Sequence, residues 1–140
     1  MIVLDTDCLS LLERERLLES SKLFRALDEH QSEDICTTIV TFEEQMRGWL
    51  SYIARCKEAS DQVVGYERLH RFLESYRNTP VLGFDEKAAA VFSDLRRQKI
   101  RIGTMDLKIA AIVIANKAIL VTRNLSDFRQ VPGLVAEDWT

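Results

Sequence analysis

Long apolar runs, an excess of basic residues, and paired cysteines or histidines are all missing from this sequence. No apolar run approaches the roughly 18–20 residues needed to span a bilayer, which excludes a membrane-spanning helix. The N-terminus has no basic region followed by a long apolar stretch, so no secretory signal is read and a cytoplasmic protein is expected. Cys8, Cys36 and Cys56 stand far apart without a Cys-x-x-Cys pair, an odd set that argues against a disulfide framework and a thiolate zinc site. His30 and His70 share no His-x-x-x-His spacing. Any metal would therefore be held by oxygen. The net charge of −3, from 19 basic and 22 acidic residues, disfavours a generic nucleic-acid coat. It leaves room for an enzyme that gathers carboxylates in one cleft. The densest basic stretch, Arg96-Arg97-Gln98-Lys99-Ile100-Arg101, reads either as a solvated helix end or as a rim that contacts phosphate.

What the chain does have is an alternation of short apolar strands and amphipathic helices. Its 140 residues suffice for one domain with a real core, so residues 1–140 are read as a single domain. Ile2-Val3-Leu4 opens as a buried strand. Leu9, Leu11, Leu12, Leu17 and Leu18 follow as a helix capped by Thr6 or Asp7, and Leu23, Phe24 and Leu27 as a second. Ile35 to Val40 is β-branched and apolar, the second strand. Thr41 and Glu44 have capping-box spacing at the head of a helix carrying Met46, Trp49, Leu50 and Ile53. A further helix, with Val63, Val64, Tyr66, Leu69, Phe72, Leu73 and Tyr76, completes an antiparallel pair whose apolar surface suits the sheet, a partner or a second copy. Val81 to Phe84 is a third strand, and Asp85 caps the helix that follows. The helix from Thr104 is almost wholly apolar over Ile109 to Ala115 and should be buried on most sides. Ile119 to Thr122 and Leu134 to Ala136 supply a fourth and fifth strand. This order implies a parallel sheet with helices on both faces.

Four places put an acid where such a sheet would collect it. Asp5 ends the first strand, and ligands in open α/β sheets bind outside the carboxyl ends of strands. Glu43 and Glu44 open a helix, Asp106 lies in the first turn of the apolar helix, and Asn124 to Asp127 follow the fourth strand. Each alone also reads as a cap or first-turn acid. Together, without histidine or cysteine, they suit a hard cation such as Mg²⁺, because clustered carboxylates repel unless a cation neutralises them. The matching chemistry is metal-assisted hydrolysis of a phosphodiester.

These residues resemble a known family. Ile2-Val3-Leu4-Asp5-Thr6-Asp7, Thr41-Phe42-Glu43-Glu44 with Gly48, Ile102-Gly103-Thr104-Met105-Asp106, and Val121 to Phe128 are similar to the PIN domain, and more narrowly to the VapC-type toxins of bacterial toxin–antitoxin pairs. The resemblance covers essentially the whole chain. It implies a three-layer α/β/α domain with a central parallel sheet of four to five strands. It also implies an endoribonuclease that depends on Mg²⁺, with Mn²⁺ as the alternative ion, and acts on structured RNA such as tRNA or rRNA. A small antitoxin partner and a homodimer are implied with it. By position, Asp5, Glu44 and Asp106 match the family's metal acids, with Glu43 facing outward. Two departures stand out. The family often has Asn where this chain has Asp7. Its fourth acid commonly stands where this chain has Asn124, so either Asn124 or Asp127, one helical turn on, completes the site.

Two other readings remain open on sequence. The Asn124 departure allows a degenerate nuclease fold kept as a binding or regulatory module. An apolar strand ending in Asp-x-Asp also resembles the haloacid-dehalogenase-type phosphatases, with Asp5 as nucleophile and Lys117 as the available lysine.

Overall fold

In the computed structural model, which describes residues 1–15 and 21–140, the alternation of strands and helices becomes a five-stranded, wholly parallel sheet. The strands are β1 (Ile2–Leu4), β2 (Ile35–Thr38), β3 (Val81–Leu82), β4 (Ile119–Val121) and β5 (Val135–Glu137), in spatial order β3-β2-β1-β4-β5. The described helices are α1 (Thr6–Glu15), α2 (Lys22–Asp28), α3 (Ile39–Arg55), α4 (Ala59–Ser75), α5 (Glu86–Arg97), α6 (Thr104–Ala115) and α7 (Leu125–Phe128). Leu17 and Leu18, read above as part of the first helix, lie outside the described residues.

Alternation along the strands sorts the core into two layers. Val3 and Leu120 face a cluster built on α5 and α6, with Ala88, Leu95, Ile109 and Ile112. Ile2, Leu4 and Val121 face the other way, onto Cys8 of α1 and Leu23 and Leu27 of α2. A strand's period of two makes both faces apolar only when both are covered, as in a three-layer α/β/α fold. Helix α6 is buried from Leu107 to Val113 except for Lys108, as its apolar run demands.

Several boundaries differ from the sequence reading, each for a local reason. The second strand stops at Thr38, not Val40, because the Thr38 hydroxyl accepts the Thr41 N–H at 3.0 Å and caps α3. Thr41 is thus a buried residue within the first turn, and Glu44 is not the distal member of a capping box. Neither Thr6 nor Asp7 caps α1. Both are inside it, and the Asp5 carbonyl accepts the first helical bond, from Leu9 N–H at 2.9 Å. The fifth strand begins at Val135 rather than Leu134, after the left-handed Gly133 (φ 81°).

Helices α3 and α4 do pack as an antiparallel pair. Phe42 stacks on Phe72 and meets the edge of Tyr76. At the other end Gly65 lies so close to α3 that a Cβ would stand 2.8 Å from Ile53 Cγ1. The packed face is narrower than the sequence suggested: Leu50, Val63, Val64, Tyr66 and Leu73 point to solvent, because α4 rests on α3 through Gly65 and Phe72. Among the described residues, no helix is long and apolar enough to cross a membrane.

Candidate functional site

The sheet order creates one topological switch point. From β1 the chain runs outward to β2 and β3, then returns to β4 and β5 on the other side, so the crevice lies beyond the carboxyl ends of β1 and β4. In-register pairing of Leu4 with Val121 brings the next residues, Asp5 and Thr122, side by side at that edge.

Asp5 is the anchor, only 5% exposed. Its Oδ1 accepts from Thr6 N–H at 2.8 Å, and its Oδ2 accepts from the Thr122 hydroxyl at 2.7 Å. Burial pushes its carboxyl up from 3.8 to about 7. The Thr122 and Thr6 hydrogen bonds pull down, and the charges of Asp7 and Asp106 push up further. Thr122, fully buried, also accepts the Asn124 N–H at 3.0 Å, so one hydroxyl ties the Asp5 carboxylate to the loop after β4.

Three other segments bring acids to the same place. Asp106 sits in the first turn of α6, half-buried, its carboxyl raised by burial and then by the charges of Glu44, Asp127 and Asp7. Glu44 is held from across the cleft, its Oε1 accepting from the Thr6 hydroxyl at 2.9 Å. Thr41 Oγ1 lies 3.2 Å from that same hydroxyl. Glu43 points away and pairs with Arg47 at 2.6 Å on the exposed side of α3. Asn124 precedes α7. Its amide donates to Asp127 Oδ2 at 3.0 Å, and its carbonyl accepts from Ser126 at 3.2 Å.

The structure therefore brings Asp106 within electrostatic reach of Asp5, Glu44 and Asp127, with Asn124 hydrogen-bonded to Asp127. The hydroxyls of Thr6 and Thr122 are the members that sequence reasoning missed. The available signal was a threonine closing an otherwise apolar strand level with the Asp-bearing strand, legible only once β1 and β4 are paired.

The donor set is wholly oxygen, as a hard cation requires, and Asp7 Oδ1 is buried beside it with no hydrogen-bond partner among the described residues. Also among the described residues, no three His, Cys, Asp or Glu side chains close into a ready-made cage. A phosphoaspartate site fits less well. Both Asp5 oxygens are engaged, and Lys117 follows the far end of α6, roughly 16 Å along the axis from Asp106.

Apart from the acids, a cleft of about 670 Å³ opens between α1, α3 and α4, with Glu13 in its lining. Arg14, Arg55, Arg68 and Arg71 surround Trp49 and Tyr52 there, and Arg68 lies over the Tyr52 ring. None of the ion pairs found among the described residues involves these arginines.

Comparison with known proteins agrees with this fold. Residues 2–134 match the model of the PIN domain family. Ribonuclease VapC2 of Rickettsia felis is 35% identical over 63 residues, covering 42% of this chain and 47% of that protein. Ribonuclease VapC1 of the same organism is 44% identical over 46 residues, covering 33% of this chain and 34% of that protein. The matched segments thus span half or less of these curated relatives. Two solved structures superpose along nearly the whole chain. One is VapBC2 from Rickettsia felis bound to a DNA fragment from its promoter, with a TM-score of 0.72 at 23% identity, covering 100% of each chain. The other is VapBC-1 from nontypeable Haemophilus influenzae, with a TM-score of 0.75 at 20% identity, covering 99% of this chain and 98% of that one. At these identities the likeness is one of fold.

Proposed function

The chain belongs to the PIN domain family, and from that premise we propose that it is a metal-dependent endoribonuclease, the toxin of a toxin–antitoxin pair, with residues 1–140 forming one domain. The observation that carries the reading is the buried Asp5 carboxylate at the switch point, with Asp106 of α6 near it and Glu44 and Asp127 acting in turn on Asp106. Asp5, Glu44, Asp106 and Asp127 would hold Mg²⁺ or Mn²⁺. Bound there, such an ion acidifies water and offsets charge developing on the phosphoryl oxygens.

The chain's own residues do the positioning. Thr122 and the Thr6 N–H fix both oxygens of Asp5, so the carboxylate is set in one orientation before any ligand arrives. The Thr6 hydroxyl fixes Glu44 in the same way, and the Asn124 amide fixes Asp127. Asn124 thereby serves the site as a positioning group and Asp127 as its fourth acid. This supports a working nuclease over a degenerate binding module, since the departure at Asn124 leaves a carboxylate in place.

Structured RNA, of the tRNA or rRNA kind, is the substrate in this reading, cut in the cytoplasm by a homodimer. A small antitoxin is the partner; a solved structure from Klebsiella pneumoniae that shares the fold is a toxin–antitoxin complex by name. The arginine-lined cleft beside α1 has the charge to receive an acidic segment of it.

An RNA cleavage assay tests the reading. Cleavage should require Mg²⁺ or Mn²⁺, stop on chelation, and fall in folded Asp106→Asn by more than the roughly 10–100-fold typical of losing an outer-shell group. Cleavage that survives chelation, or full activity in Asp106→Asn, would refute it.

A further inference from the structure

We infer that the turn joining α5 to α6 grips an unpaired stretch of the RNA, with Arg96, Lys99 and Arg101 on its phosphates and Phe84 against a base. The inference rests on the proposed ribonuclease reading and adds to it a substrate-binding surface outside the acids.

Residues 98–103 link the last turn of α5 to the first turn of α6, which carries Asp106. Arg101 stands five residues before that acid and so within roughly 18 Å of it. Arg96, Lys99 and Arg101 are exposed, and none takes part in the ion pairs found among the described residues. Asp94, the acid nearest this end of α5, accepts instead from the Gln98 amide at 3.0 Å. Cations in the last turn of a helix complement its dipole, which accounts for Arg96. That effect fades beyond the helix end, where Lys99 and Arg101 stand. Lys99 also holds left-handed backbone (φ 55°), where glycine serves a helix end better, so the fold has no need of its side chain.

An aromatic pair adjoins these cations. Phe84, 37% exposed, meets the Phe92 ring edge to face at 5.9 Å. The Lys108 ammonium lies 5.9 Å from each of the two ring centroids, and the Arg96 guanidinium 5.5 Å from that of Phe92. Charge alone would equally suit an acidic protein segment. An exposed ring set among cations favours RNA, whose phosphates meet the cations while any of its bases has a face to stack.

Fluorescence anisotropy of a labelled single-stranded RNA, titrated with the full chain in EDTA at several salt concentrations, tests this without cleavage. Lys99→Gly combined with Arg101→Gln should flatten the slope of log K against log salt by about 1.4–1.8, at roughly 0.7–0.9 per phosphate contact. Its Tm should not fall, since glycine suits that helix end. Phe84→Leu should bind roughly tenfold more weakly at every salt concentration, with the slope unchanged. Arg55→Gln combined with Arg68→Gln, in the separate cleft of α1, α3 and α4, should change the slope by less than half as much. An unchanged slope in the turn variant, or an equal change from the cleft pair, overturns the inference and leaves the ribonuclease reading intact. Polyglutamate that displaces the RNA at an equal concentration of charges also overturns it, because the turn then reads charge alone. A wild type that binds no RNA, in EDTA or in Mg²⁺, overturns both.

Discussion

Replacing Asp5 by asparagine should make the metal-free protein more stable while removing its activity. The carboxyl is buried and titrates at about 7 in the folded state against 3.8 for an unperturbed group. Above both values the folded chain therefore carries a charge disfavoured by roughly three pK units, about 4 kcal/mol at 1.36 kcal/mol per unit. An amide removes that penalty. Its oxygen keeps the bond from Thr6 N–H, but the Thr122 hydroxyl must turn to accept from the amide nitrogen; that rearrangement costs about 1–2 kcal/mol. The net gain is about 2–3 kcal/mol near pH 8. For 140 residues that is on the order of 10 °C in Tm. The sign follows from a raised folded pKa. Wild-type stability is fully present below about pH 4 and is lost as pH rises through about 7. The advantage of Asp5→Asn should thus vanish at low pH, where a small deficit from the rearranged hydrogen bond remains. Urea denaturation in EDTA across this range measures it. Adding Mg²⁺ should then stabilise the wild type alone, by about 2.7 kcal/mol at a hundredfold excess over Kd. Parallel stability curves for the two proteins at all pH values would refute the assignment of a buried, charge-disfavoured Asp5.

Two substitutions probe how the acids are held. Glu44→Gln should reduce RNA cleavage at least roughly tenfold, whereas Glu43→Gln, which loses only an exposed pair with Arg47, should change stability by less than about 1 kcal/mol and leave cleavage intact; equal losses would mean that Glu43 is the site acid. Thr122→Val keeps the shape but removes the donor to Asp5 and the acceptor for Asn124 N–H. It should cost about 1–3 kcal/mol and weaken Mn²⁺ binding, and Thr122→Ser should restore both; a valine variant with unaltered Mn²⁺ affinity would show that the hydroxyl does not orient Asp5.

Much of the architecture was legible because each local signal agreed with the fold. Ile2-Val3-Leu4 and Ile119-Leu120-Val121 are short, continuous apolar runs, as strands covered on both faces must be. The apolar length of α6 likewise announced its burial. The end of β2 was less legible. Ile39 and Val40 are β-branched, and their propensity favours a strand. The Thr38 hydroxyl, capping Thr41 N–H, overrides it and starts the helix three residues earlier. The solvent-facing Val63, Tyr66 and Leu73 were left open for a different reason: periodicity shows which residues share a helix face, but not whether anything covers it.

The acids were legible singly, as carboxylates at strand tips and helix starts, but what holds them depends on which strands adjoin. Thr122 closes an apolar strand and looks like part of it. Only the β1–β4 register sets its hydroxyl against Asp5, and no local pattern encodes a pairing between residues 117 positions apart. Thr6 reaches Glu44 by the same kind of long-range packing, of α1 against α3. Asn124 shows what this changes. In sequence it competes with Asp127 for one role, since either offers oxygen to a cation. In the folded loop its carbonyl is engaged by Ser126 and its amide by Asp127, so the two residues act in series, one orienting the carboxylate that the other supplies. An aspartate at Asn124 would place a second charge against Asp127 and remove the donor that holds it. The amide and the displaced acid therefore belong together, and changing either alone should disturb the other.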